Sequence, residues 1–183
     1  MTTGPSYERV YERLKAALPD WQLLLETPLS VISELIADAG LVAQRTNRLV
    51  TIAQTLAGDF GTVSLTLLTE MSDQDAFAYL TTLPGVGPKS AKCVMMYSLG
   101  REVLPVDTHT ARLAFRLGLV ASASAPAIDK ELEQIVPPPL RYDFHVNAVA
   151  HGRVVCRAVR PRCGECALRP ACPSGQRAPA PAR

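Results

Sequence analysis

With 183 residues, 48% of them hydrophobic, and a net charge of +2, the chain is long enough for one sizeable domain or two small packed ones and too apolar for global disorder. It contains no apolar run long enough to span a bilayer, and its start, Met1 to Glu8, has neither a basic segment nor an apolar stretch, so a cytoplasmic protein away from membranes is expected. The charge is unevenly spread: residues 1–82 hold ten acids and five bases, residues 83–183 seven acids and fourteen bases, so the second half is the one suited to a polyanion.

Helical punctuation dominates the chain. Pro5 opens a run in which Tyr7, Val10, Tyr11, Leu14 and Leu18 recur at helical spacing, and Pro19-Asp20 stops it. A second helix starts near Pro28, places Val31, Ile32, Leu35 and Ile36 on one face and ends at Gly40. A third carries Leu49, Ile52, Ala53 and Leu56 and ends at Gly58; residues 59–71 form a Thr- and Leu-rich connection. Ser72 is placed to N-cap a helix bearing Phe77, Leu80 and Leu83. A tight turn over 83–87 follows, and Pro88 opens a helix that Gly100 stops. Asp107 caps a helix running through Leu113, Phe115 and Leu117, Pro126 opens one that ends before Pro137-Pro138-Pro139, and Arg141 begins a last long helix reaching about Val155. Residues 173–183 read as a frayed tail. No strand-like alternation and no internal repeat are present, so the fold class is all-α.

The turn Leu83-Pro84-Gly85-Val86-Gly87 joins two helices. Glycine at 85 and 87 permits positive φ and leaves backbone N–H groups bare at the positive end of the next helix, a nest for a phosphate; a purely structural helix–helix turn is the alternative. Lys89 lies in the first turn of that helix, where like-signed potential favours the neutral amine, and a neutral amine attacks electrophilic carbon such as the anomeric carbon of a nucleoside. Lys92, by contrast, reads as a solvated surface lysine. Asp107, eighteen residues beyond Lys89, is a cap that can also stabilise oxocarbenium character or take the lysine's proton. His109 reads as a hydrogen-bonding support.

Near the C-terminus Cys156, Cys163, Cys166 and Cys172 follow the pattern C-x6-C-x2-C-x5-C. In a reducing compartment such a set is a ligand cage, and the long outer spacings fit a [4Fe-4S] cube better than a zinc ribbon, which stays open as the alternative. Cys93 reads as a core thiol. Arg153, Arg157, Arg160, Arg162 and Arg169 surround the cage against Glu165; they either grip a phosphate backbone, compensate the charge of a thiolate cage, or do both.

Together these segments resemble the endonuclease III family of helix-hairpin-helix DNA glycosylases. Leu83 to Ala91 resembles the hairpin with its lysine, Val106-Asp107-Thr108-His109 the aspartate motif, His151-Gly152-Arg153 through Cys172 the cluster motif, and Gly40-Leu41 with Arg45 the loop whose leucine enters the duplex. The resemblance runs from about residue 20 to 174. It implies two helical domains with a DNA-binding cleft between them: residues 5–101 with the hairpin at 83–87, and residues 102–174 with the cluster, followed by a disordered tail at 175–183. It implies a monomer acting on double-stranded DNA with a damaged base or abasic site, nucleoid-associated if bacterial. In that picture Lys89 forms a Schiff base, Asp107 assists, Leu41, Gly85, Gly87, His109, Arg157, Arg160 and Arg162 contact DNA, and the four cysteines hold the cluster. The reaction expected is excision of oxidised pyrimidines followed by strand cleavage through β-elimination. A glycosylase for a mismatched or alkylated base, and a cluster-bearing DNA-binding protein with little catalysis, are the competing readings. Tyr7 to Leu18 resembles the helix after the family's glutamine-bearing segment, so a chain short at the N-terminus is expected.

Overall fold

A computed structural model describes residues 4–122 and 124–178, and among them the fold is wholly helical, as the punctuation predicts. It divides into two compact units, Met1–Val86 and Gly87–Arg183. The division falls inside the glycine turn, whereas the sequence reading places its boundary after residue 101.

The first unit contains α1 (Gly4–Ala17), α2 (Leu29–Leu35), α3 (Val42–Phe60) and α4 (Asp73–Thr82), linked by short 3-10 turns at Trp21–Leu25, Ala37–Ala39 and Thr66–Glu70. Its core gathers Val10, Leu14 and Leu18 of the first helical run with Leu24, Ile32, Ile36, Ala39 and Ala53. The apolar stripe is narrower than the spacing predicts: Tyr7, Tyr11 and Val31 are exposed. Asp20 accepts from the Gln22 N–H at 2.9 Å and so starts a 3-10 turn where Pro19 stops α1. α3 does not end at Gly58 but continues to Phe60, because the left-handed C-cap falls at Gly61 (φ 71°), whose N–H closes on Ala57 O. Ser72 caps α4 as predicted, accepting from Asp75 N–H at 3.1 Å.

The second unit contains α5 (Pro88–Ser98), α6 (Thr108–Leu117), α7 (Ala125–Ile135), α8 (Arg141–Val154) and a short α9 (Pro173–Arg177). Its core is Leu104, Ala114, Val120, Ile128, Leu132 and Val136, in which the leucine, isoleucine and valine side chains each contribute roughly 1.5–3 kcal/mol when fully buried. Phe115 instead is 51% exposed. Arg141 pins the entry to α8 by donating to the carbonyls of Val136, Glu102 and Glu133 at 3.2, 2.8 and 2.9 Å. The predicted frayed tail starts too early at residue 173, and at 175 in the domain reading. Pro173–Arg177 is helical, with Cys172 Sγ accepting from the Gly175 N–H at 3.3 Å and Gly175 itself buried. Residues 179–183 of that tail lie outside the described residues. No helix among the described residues is long and apolar enough to cross a membrane.

Candidate catalytic pocket and cysteine loop

One open pocket of the second unit is built from the starts of three helices. Lys89 enters from the first turn of α5, Asp107, Thr108, His109 and Ala111 from the start of α6, Ala125 from the first residue of α7, and Arg153 from the end of α8. Lys89 itself is exposed. Three positive helix ends and two cationic side chains thus surround one carboxylate.

Asp107 is the N-cap of α6, accepting from the Thr110 N–H at 2.7 Å. Burial pushes its carboxyl up, but the Thr110 N–H, the Thr110 hydroxyl, His109 and His145 together outweigh burial and hold it below the usual carboxylate range. The hydroxyl acts by proximity, since Thr110 Oγ1 is buried without a hydrogen bond of good geometry. Asp107 is therefore ionised at neutral pH. Its contribution to stability is present above the ordinary carboxylate value and fades as pH falls through its depressed folded value.

Behind this carboxylate lies His145, 3% exposed, with Nδ1 2.8 Å from Pro105 O. A carbonyl only accepts, so Nδ1 carries the proton. Burial pushes the imidazole down, and Lys89 adds to that against the Pro105 bond and Asp107. Tyr97 meets the His145 ring edge-on at 6.0 Å and Tyr142 at 5.9 Å. His109 is held on its Nδ1 side by Arg112 Nη2 at 3.0 Å. An arginine only donates, so the neutral ring carries its proton on Nε2. Arg112 is in turn fixed by Gly152 O and Cys156 O, both at 2.9 Å. Gly152 allows this close approach: a Cβ there would lie 2.8 Å from His109 Cβ and 3.0 Å from its Nδ1.

The hairpin glycines differ from each other. Gly85 takes positive φ (81°), whereas Gly87 is extended (φ −91°, ψ 177°) and N-caps α5. Of the two positions where glycine permits positive φ, only Gly85 uses it: a helix N-cap takes β-region geometry, so only the turn's interior needs the left-handed form. A Cβ on Gly87 would meet nothing within 4 Å, while one on Gly85 would strike the Arg48 side chain at 2.8 Å. In the first unit, Leu41 caps α3 in the left-handed region (φ 50°), a costly backbone for a leucine, and is 71% exposed.

The four cysteines Cys156, Cys163, Cys166 and Cys172 line one cavity of about 90 Å³ in the second unit. None of the four is in a disulfide. Arg116 Nη1 donates to Cys156 Sγ at 3.3 Å, Gly175 N–H to Cys172 Sγ at 3.3 Å, and His151 Nε2 lies 3.5 Å from Cys166 Sγ. The thiols stand around the cavity; among the described residues no three His, Cys, Asp or Glu side chains converge as a single ion requires. Cys93 lies apart from this cavity and is half-buried, not a full core thiol. On the loop itself Arg160 is exposed with positive φ (51°), Arg157 Nε donates to Val154 O at 3.1 Å, and Arg162 lies 3.7 Å from Glu165.

Sequence reasoning misread Lys92, which is 8% exposed and bonded to Asp129 and Glu133 at 2.6 Å each. It missed Arg112, Arg116, Gly152, His145 and Arg48, and did not place Arg153 in the Lys89 pocket. The four-residue steps Arg112–Arg116 and Asp129–Glu133 were readable signals that two helix faces carry charge to a common target.

The sequence profile of the HhH-GPD superfamily base excision DNA repair proteins matches residues 2–138. The chain belongs to that superfamily. The match covers both helices of the hairpin and the Asp107 motif and stops before α8 and the cysteine loop. Among its relatives, endonuclease III of Synechocystis sp. is 42% identical over 98 residues, which span 53% of this chain and 45% of that protein. DEMETER-like protein 2 of Arabidopsis thaliana is 29% identical over 171 residues, 84% of this chain and 13% of that protein. The chain spans about half the length, or less, of the curated relatives it matches. A trapped endonuclease III–DNA covalent intermediate shares the fold at a TM-score of 0.82 and 25% identity, over 96% of this chain and 78% of that one. A thermostable thymine-DNA glycosylase has the same fold at a TM-score of 0.82 and 22% identity, covering 97% and 79%.

Proposed function

We propose that this chain is a base-excision DNA glycosylase with AP lyase activity that removes oxidised pyrimidines through a Schiff base on Lys89. The observation that carries the reading is the shared pocket of Lys89, Asp107 and His109 at converging helix starts. A damaged base must leave the stack before its sugar can be reached. The Lys89 amine then attacks the sugar C1′, the glycosidic bond breaks, and its electron pair leaves with the base. Ionised Asp107 offsets positive charge developing on the sugar and accepts the proton that Lys89 must shed. Opening of the sugar ring leaves an imine to Lys89, and loss of the C2′ proton expels the 3′ phosphate. His109, with Nε2–H presented, and Arg153 supply hydrogen-bond donors for DNA oxygens at the same pocket.

The open space in front of Gly87 suits close approach of a phosphate to the start of α5. Leu41, exposed and left-handed ahead of α3, suits insertion into a duplex. Cys156, Cys163, Cys166 and Cys172 would hold a [4Fe-4S] cluster: four thiols around one cavity, with N–H donors on two sulfurs, supply a ligand set that fits such a group. Bound there, the cluster would fold the loop that carries Arg157, Arg160 and Arg162.

The test is a panel of single-lesion duplexes, with an oxidised pyrimidine, a mismatched thymine, an alkylated purine or an abasic site, each incubated with borohydride. Adduct and excision on the oxidised pyrimidine support the reading. Excision confined to another lesion transfers it to that substrate. Binding without excision or adduct anywhere replaces the enzyme with a binding protein. If Arg160 grips phosphate, Arg160→Ala weakens binding to damaged and intact duplexes alike and flattens the slope of log affinity against log salt by about one. A change of lesion preference at unchanged slope removes Arg160 from the backbone contacts.

A further inference from the structure

We propose that Lys92 is a positioning residue for the Lys89 pocket: its ion pairs to Asp129 and Glu133 fix the separation of α5 and α7, and with it the wall that α7 gives the pocket. This rests on the reading of Lys89 as nucleophile. Lysines are seldom buried, and taking one from water is repaid only by close, well-directed partners. Here Nζ lies 2.6 Å from both Asp129 Oδ2 and Glu133 Oε1. Those two carboxylates stand four residues apart on α7, a spacing at which like charges repel unless a cation sits between them.

The clamp sits one turn behind the pocket on both helices. Lys92 follows Lys89 by three residues on α5, and Asp129 follows Ala125 by four on α7; Lys89 and Ala125 both line the pocket. The far end of α7 is held separately, by Arg141 on the carbonyls of Glu133 and Val136. Apolar contacts through Ile128 and Leu132 choose which face of α7 is buried, but the hydrophobic drive is non-directional. Two short charge-assisted bonds from one nitrogen set the register of α7.

The experiment follows the rate of borohydride-trapped adduct on an abasic duplex at saturating enzyme, beside duplex affinity and thermal midpoint, in the full chain. Lys92→Met leaves two carboxylates uncompensated and threatens the fold, so it is paired with Lys92→Met/Asp129→Leu/Glu133→Leu, whose apolar contact restores stability. Glu133→Gln, a mild change of equal shape, is the third variant. The expected result is wild-type affinity throughout, a near-wild-type midpoint in the triple variant, and adduct formation slowed about 10–100-fold in it, the scale of a 1 Å misplacement. A smaller slowing in the same sense is expected in Glu133→Gln. Wild-type adduct rates in the folded triple variant and in Glu133→Gln overturn the role of Lys92 and leave Lys89 standing. No adduct on Lys89 in the wild type, by peptide mapping, overturns both.

Discussion

Replacing Lys89 by Gln is expected to abolish borohydride trapping on abasic and oxidised-pyrimidine duplexes while leaving duplex affinity within about twofold. Only a primary amine forms the reducible imine, and glutamine cannot. Affinity is expected to survive because the grip proposed at the start of α5 uses backbone N–H groups, which substitution of an exposed side chain leaves in place. Asp107→Asn is the companion. Asparagine caps a helix about as well as aspartate, so α6 and the thermal midpoint persist, but the charge that is held ionised by Thr110 and His109 is gone. Excision is expected to fall by about 100-fold or more, the scale of losing one preorganised electrostatic contact in a transition state. Trapping by Lys89→Gln at the wild-type level would show that another amine attacks. Full excision by Asp107→Asn would reduce that residue to a cap.

The second large effect concerns the cysteine loop. Purified protein is expected to be yellow-brown, with a broad band near roughly 400 nm and about four irons per chain. Cys163→Ser or Cys166→Ser is expected to lose the iron and unfold the 156–172 segment, lowering the thermal midpoint and the salt-dependent part of DNA affinity together, because ligand bonds close that segment. Cys93→Ser, outside the cavity, keeps both colour and affinity. A colourless protein with one tightly held zinc would sink the cluster assignment. The loop's coupling to the pocket runs through α6: Arg112 joins His109 to Cys156 O, and Arg116 donates to Cys156 Sγ, Arg157 O and Ala158 O. Ordering of the loop and orientation of His109 are therefore linked through one helix face.

Much of this was legible in the sequence because it rests on local rules. Ser72 and Asp107 cap helices, since a short oxygen-bearing side chain before a helical run satisfies the orphan N–H groups wherever it occurs. Pro88 opens α5, and the cysteine spacing gathers four thiols on one loop. The sequence by itself determined the helical class, the hairpin, and the order of Lys89, Asp107 and the four-cysteine loop along the chain. What only the tertiary structure decided was every property that depends on a distant neighbour. Lys92 is solvated by its own local pattern and buried only because Asp129 and Glu133 arrive from α7. Gly152 carries no turn; it matters because α6 packs there, with His109 too near for a Cβ. Tyr11 and Phe115 fit a helical apolar stripe yet stay exposed, since the stripe's width is set by what packs against it. Helix starts are fixed by a few adjacent residues, but burial, charge pairing and pocket geometry are set by contacts tens of residues apart, which no local pattern encodes.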